Sequence, residues 1–160
     1  MFDEYEGNGD TLKIIGYFNS DGSPFLDIIV LRRNGGHPRR IAFLIDTGTP
    51  RTVISERDVA KLGIDFAQME KMNADMLGIG GFTQIYKLND LTFSFITEGG
   101  EHQQDIDEVL VNKHDQLPEK YKKQIPSLLG RDVMGAYALV LDGRKDLVLL
   151  SDEWSMGDAQ

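Results

Sequence analysis

The chain has 160 residues, with 26 Asp and Glu against 17 Lys and Arg and no cysteine. That length suits a single domain with a real core, and the net charge of −9 argues against a nucleic-acid partner, because phosphate binding needs a basic face. Without cysteine there is no disulfide, no thiol nucleophile and no Cys-based zinc site. The opening "MFDEYEGNGD" is polar and acidic and carries no signal-peptide pattern. No apolar run approaches the roughly 20 residues of a membrane-spanning helix, so the expectation is a soluble, cytoplasmic protein with no membrane partner.

Short apolar runs between turn signals dominate the chain. "TLKIIGYF" (11–18) and "PFLDIIVLR" (24–32) flank "NSDGS" and read as a hairpin. "NGGHP" (34–38) turns the chain before "RRIAFLID" (39–46), a strongly apolar strand. A helix is expected over 55–64: Ser55 with Asp58 three residues on resembles a capping box, Val59 and Leu62 share a face, and Gly63 can end it. "ADMLGIGGFTQIYKL" (74–88) is two strand-like arms around Gly78, Gly80 and Gly81. "LTFSFIT" (91–97) alternates cleanly, "DIDEVLV" (105–111) follows, and a polar stretch holds a short helix from Pro118. "SLLGRDVMGAY" runs from a small strand into a helical turn, and "ALVLDGRKDLVLL" (138–150) is a hairpin around Asp142-Gly143. One domain over 1–160 is expected, with its core at about 10–151 and a frayed tail at 152–160. The class is mostly β with one or two short helices.

The chemistry concentrates at "AFLIDTGTPRTVIS" (42–55). An apolar strand that ends on a carboxylate is costly unless the charge is paired or hydrogen-bonded, so Asp46 needs a partner or a task. Gly48 lets the chain turn beneath the carboxylate, and Thr47 offers a hydroxyl to fasten the loop. Average residue usage produces D-T-G in roughly one chain in thirty of this length, so the triplet alone is weak. Its context is stronger: it ends an apolar strand, is followed by "TVIS", and has both the glycine-rich "GIGGF" and "SLLGRD" downstream.

In that order, "LIDTGTPRTVI", "MLGIGGFTQIY" and "LLGRDVM" resemble the retropepsins, the aspartic proteases of retroviruses and their cellular and prokaryotic relatives. The resemblance covers residues 39 to about 150. It implies a closed, mostly-β acid-protease barrel in which each subunit supplies one half-site. The implied function is aspartic endopeptidase activity, with water activated between two Asp46 carboxylates of a homodimer. No cofactor and no metal are implied, and the partners are a second copy and a peptide or protein substrate. Position by position, the resemblance makes Asp46 catalytic and gives Thr47, Gly48 and Thr49 the support of its loop. Met76, Leu77, Gly78, Ile79, Gly80, Gly81 and Phe82 become a flap over the substrate, with Val53, Ile54, Ile79 and Leu128 as apolar pocket walls. The alternative is a non-catalytic module of the same fold that dimerises or binds peptides.

This chain departs from the retroviral pattern at Pro50 and Arg51, where those enzymes carry acids. Arg131 is therefore expected to pair elsewhere, with Asp132 or an acid of another loop. Thr49 is expected to hydrogen-bond the Asp46 carboxylate and favour its ionised form. "GIGG" lacks the Lys-Ser/Thr of a phosphate loop. His37, His102 and His114 sit in polar turns without ligand spacing and read as surface residues. Ser55 reads as a helix cap.

Overall fold

Branched and aromatic residues at alternate positions draw most of this chain into strands. The computed structural model describes residues 11–78 and 81–153, with side chains at all of these except 74–78, 81 and 82. Strands β1 (Lys13–Ile15), β2 (Tyr17–Phe18), β3 (Pro24–Arg32), β4 (Arg39–Ile45) and β5 (Val53–Ser55) lead into helix α1 (Glu56–Lys61). A 3-10 turn (Phe66–Gln68) precedes the long strands β6 (Glu70–Gly78), β7 (Gly81–Thr97) and β8 (Gly100–Lys113). Helix α2 (Glu119–Lys122), β9 (Ser127–Leu129), helix α3 (Arg131–Met134), β10 (Ala138–Asp142) and β11 (Leu147–Ser151) complete the described chain. The tail from 154 onward, expected to fray, lies outside the described residues.

All eleven described strands belong to one sheet, ordered β10-β11-β1-β7-β8-β5-β9-β4-β3-β2, with β6 paired to β7 and a further pairing of β7 with β3. That last pairing, Ile28 opposite Phe95 and Val30 opposite Phe93, closes six strands into a barrel. Closure removes open sheet edges around the core. Inside it, β3 contributes Leu26, Ile28 and Val30, β4 contributes Ile41, Phe43 and Ile45, and β7 contributes Leu91, Phe93 and Phe95. Phe43 and Phe93 meet at 5.5 Å between ring centroids, a spacing at which tilted rings attract.

The class is mostly β, as the alternation implies, with three short helices among the described residues where one or two were expected. Helix α1 stops at Lys61, and Gly63 supplies the left-handed φ of 67° that ends it. At its other end Ser55 occupies the cap position without a capping side-chain bond. Its hydroxyl instead donates to the buried Asp58 carboxylate at 3.1 Å, and Ser127 of β9 donates to the same oxygen at 2.6 Å. Lys61 reaches the other Asp58 oxygen at 2.9 Å. The capping box expected from spacing is replaced by a buried knot joining α1, β5 and β9. In the C-terminal hairpin the left-handed residue is Asp146, with φ 52°, and not Gly143.

His114 is also corrected: it is buried, and neither ring nitrogen has a hydrogen-bond partner. Its backbone N–H donates to the Glu56 carboxylate at 3.0 Å. Burial pushes the imidazole below its usual range, Glu56 pulls it back and Lys122 pushes it further down. Burial also raises Asp58, but bonds from Ser127 and Lys61 and the charge of Arg57 outweigh it and hold that carboxyl low.

Both shifts act in one direction. A folded state whose histidine and carboxylate bind protons less readily than the unfolded chain loses stability as pH falls. The histidine part begins below about 6.5, where an unfolded imidazole protonates, and the Asp58 part is lost further into acid. The urea midpoint should therefore fall between pH 7 and pH 5, and His114→Phe should reduce that fall; an unchanged slope would assign the acid sensitivity elsewhere.

Candidate active site

The D-T-G turn is suspended between two parallel strands. β4 and β9 run side by side, with Leu44 opposite Leu128 and Ile45 opposite Leu129. β9 is also antiparallel to β5 at Val53–Leu128, so it lies between the strand entering the turn and the strand leaving it. Asp46 donates its backbone N–H to Leu129 at 3.1 Å, continuing the ladder by one residue. Beyond it the carboxylate of Asp46, half-buried, accepts the backbone N–H of Gly48 at 2.9 Å. A carboxylate that accepts a main-chain N–H of its own turn is oriented by the loop.

The second half of the loop hangs on the turn from β9 into α3. Arg131 donates its backbone N–H to Thr49 at 3.0 Å and Asp132 to Pro50 at 3.2 Å. Thr52, fully buried, donates its hydroxyl to Asp132 at 2.7 Å and accepts the backbone N–H of Gly130 at 3.0 Å. Its own backbone N–H donates to the same carboxylate. A side chain at 130 has no room, since a Cβ there would lie 2.5 Å from the Arg51 carbonyl carbon.

Several expected site residues fall elsewhere. Thr49 donates its hydroxyl to the Arg51 carbonyl at 3.0 Å and not to the Asp46 carboxylate. It serves the loop, and the expected tuning of Asp46 by this hydroxyl has no geometric support. Among the described residues Arg131 pairs with no acid: its guanidinium donates to the Thr47 carbonyl at 2.8 Å. Thr47 and Gly48 are exposed at the tip of the turn. Ile54 is sealed in the main core, fully buried, and cannot line a pocket. Val53 and Leu128 belong to a separate small cluster with Met72, Ile85 and Leu110.

Of the expected flap residues, Met76, Leu77, Gly78, Gly81 and Phe82 lie on the arms of the β6–β7 hairpin, with Leu77 opposite Phe82 and Gly78 opposite Gly81. Ile79 and Gly80 lie outside the described residues. Thr52, Gly130 and Glu108 were not singled out from the sequence, and Asp132 was named only as a partner for Arg131. Their contacts join residues 57 to 80 positions apart, and no local signal marks them. Among the described residues, no group of His, Asp and Glu is placed to hold a metal ion.

Asp46 is thus a partly buried aspartate on a D-T-G turn, held by main chain from β9, the parallel neighbour of β4. The sequence matches the aspartyl protease family over residues 29–133, and the chain belongs to that family. Its fold is similar to the crystal structure of a retropepsin-like aspartic protease from Rickettsia conorii, with 22% identity, 87% of this chain and 89% of that chain covered, and a TM-score of 0.57. The EIAV protease in complex with an inhibitor is a more distant likeness, with 17% identity, coverage of 78% and 98%, and a TM-score of 0.47. No curated protein matches the sequence.

The close approach at Gly130 gives a direct check. Gly130→Ala should destabilise the fold by about 1–3 kcal/mol, the usual cost of forcing a methyl into packed surroundings, because the Arg51–Thr52 neighbour is backbone and cannot swing aside. A urea midpoint equal to that of the wild type would show that the two segments can separate freely.

Proposed function

We propose that the chain is an aspartic endopeptidase assembled from two copies, with one Asp46 from each meeting on the two-fold axis. The observation that carries this reading is the single D-T-G turn of the sequence, with Asp46 only partly buried on a loop fixed by main-chain bonds. One aspartate alone cannot act as both acid and base. Two carboxylates brought close cannot both ionise cheaply and hold one proton between them. The ionised member takes a proton from water, and the protonated member polarises the scissile carbonyl. In this reading the Thr47 hydroxyl braces the two turns across the axis, and the β6–β7 hairpin closes over an extended substrate whose backbone adds as a strand.

The need for a second copy has independent support at β10. This strand pairs with β11 on one side and has no neighbour on the other among the described residues. Leu139 and Leu141 lie opposite the buried Leu150 and Val148, yet Leu141 is 46% exposed. The apolar face thus runs past its cover at this edge. An antiparallel copy centred on Val140 places leucine opposite leucine and completes the ladder.

Two experiments test the reading. Cleavage of a mixed peptide library from pH 3 to 8 should occur with wild type, weaken per mole on dilution, and fall by about 10²–10⁴-fold or more in Asp46→Asn. Peptide capture without cleavage, unaffected by that substitution, would instead favour a binding module. Separately, Leu141→Lys should leave the fold intact but shift sedimentation toward monomer and lower cleavage at dilute concentration. A full-strength dimer in that variant would place the interface elsewhere.

A further inference from the structure

Glu108 of β8 joins three parts of the molecule. Parallel pairing sets Val53 opposite Leu110, and extending that register by two residues brings Arg51 beside Glu108. There the guanidinium donates to one carboxylate oxygen at 2.6 Å. The other oxygen faces Lys87 of β7 at 3.5 Å. Lys87 is opposite Glu70 at the base of the β6–β7 hairpin. Arg51, on the exit of the Asp46 loop, also faces Asp132 at 3.8 Å, the carboxylate that receives the N–H and hydroxyl of Thr52.

We infer that Glu108 is a positioning residue that clamps the Asp46 loop, through Arg51, to the base of the β6–β7 hairpin, through Lys87. This rests on the reading of Asp46 as catalytic and adds to it a link between the reacting carboxylate's loop and the element proposed to cover the substrate. The four side chains are 25–42% exposed. Partly exposed ion pairs add little to global stability, so the effect of this one lies in local order. The Arg51 bond, with the charge of Lys87, holds the Glu108 carboxyl below its usual range against the opposing effect of burial. The clamp therefore persists in solutions acid enough to neutralise an ordinary glutamate.

Amide hydrogen exchange tests the link without requiring turnover. Glu108→Met keeps length but cannot accept either cation. It should speed exchange both at Gly48, Thr49 and Thr52 and at the hairpin base around 70–71 and 86–88, by about 2- to 30-fold, the range such couplings carry. Lys87 has its ion pair with Glu108 and not with the loop, yet Lys87→Met should speed exchange in the 46–52 loop and should add nothing in the Glu108→Met background. Lys87→Arg should restore the wild-type pattern. On active protein, Glu108→Met should lower kcat more than it changes KM. Unchanged loop exchange in Glu108→Met, additive effects in the double variant, or a uniform rise across all strands overturns the clamp. Failure of wild type to cleave would overturn the protease reading while leaving the exchange result to decide the clamp.

Discussion

The structure turns on the close passage of two stretches of main chain, Arg51–Thr52 and Gly130. Here the chain leaving the D-T-G turn lies against the chain leaving β9, with no space for a side chain between them. Three backbone bonds, from Asp46 to Leu129, from Arg131 to Thr49 and from Asp132 to Pro50, follow from that contact. Thr52 and Asp132 then satisfy the polar groups that the contact buries, as buried polar groups require. Asp46 is consequently placed by main chain on both sides of its loop. A carboxylate held this way needs no partner side chain to orient it.

Around this rigid centre the cations of a strongly acidic protein are used at chosen points. Arg131 donates to a carbonyl of the D-T-G turn, Arg51 is held by Glu108, and Lys61 and Arg57 compensate the buried Asp58. The last case differs in kind from the others. Asp58 is almost fully enclosed, so removing one partner would strand a charge in the interior, whereas Arg51 and Glu108 remain in reach of water. Energetically, the Asp58 knot belongs to the fold and the Glu108 bridge to the site.

What could be read from the sequence follows the distance over which each signal acts. The turn at Asp46 was legible because an apolar strand, "IAFLI", runs directly into Asp-Thr-Gly. The strand "SLL" before Gly130 was legible for the same reason. Ser55 and Asp58 were misread as a local capping box because Asp58 is captured by Ser127, 69 positions away. Ile54 was misassigned to a pocket because all three residues of β5 are buried, and alternation cannot then tell a pocket wall from the core. His114 looked exposed among Asn, Lys, Asp and Gln neighbours, yet it is buried and its backbone N–H is tied to Glu56 of α1, 58 positions away.

The retained rule and the altered rule meet at Arg51. The glycine after β9 is demanded by main-chain geometry, since any Cβ at 130 would collide with the Arg51–Thr52 backbone. Residue 51 is under no such demand. Its side chain leaves the loop toward β8, so its charge can be of either sign provided that the strand across from it answers. Here the answer is Glu108, shared with Lys87, and Asp132 completes the balance of two cations against two carboxylates. A loop that carries acids at this point would need cations on the facing strand. This backbone therefore admits inversion of the charge cluster without moving the D-T-G turn, because the main-chain bonds that hold the turn do not involve the side chain of residue 51.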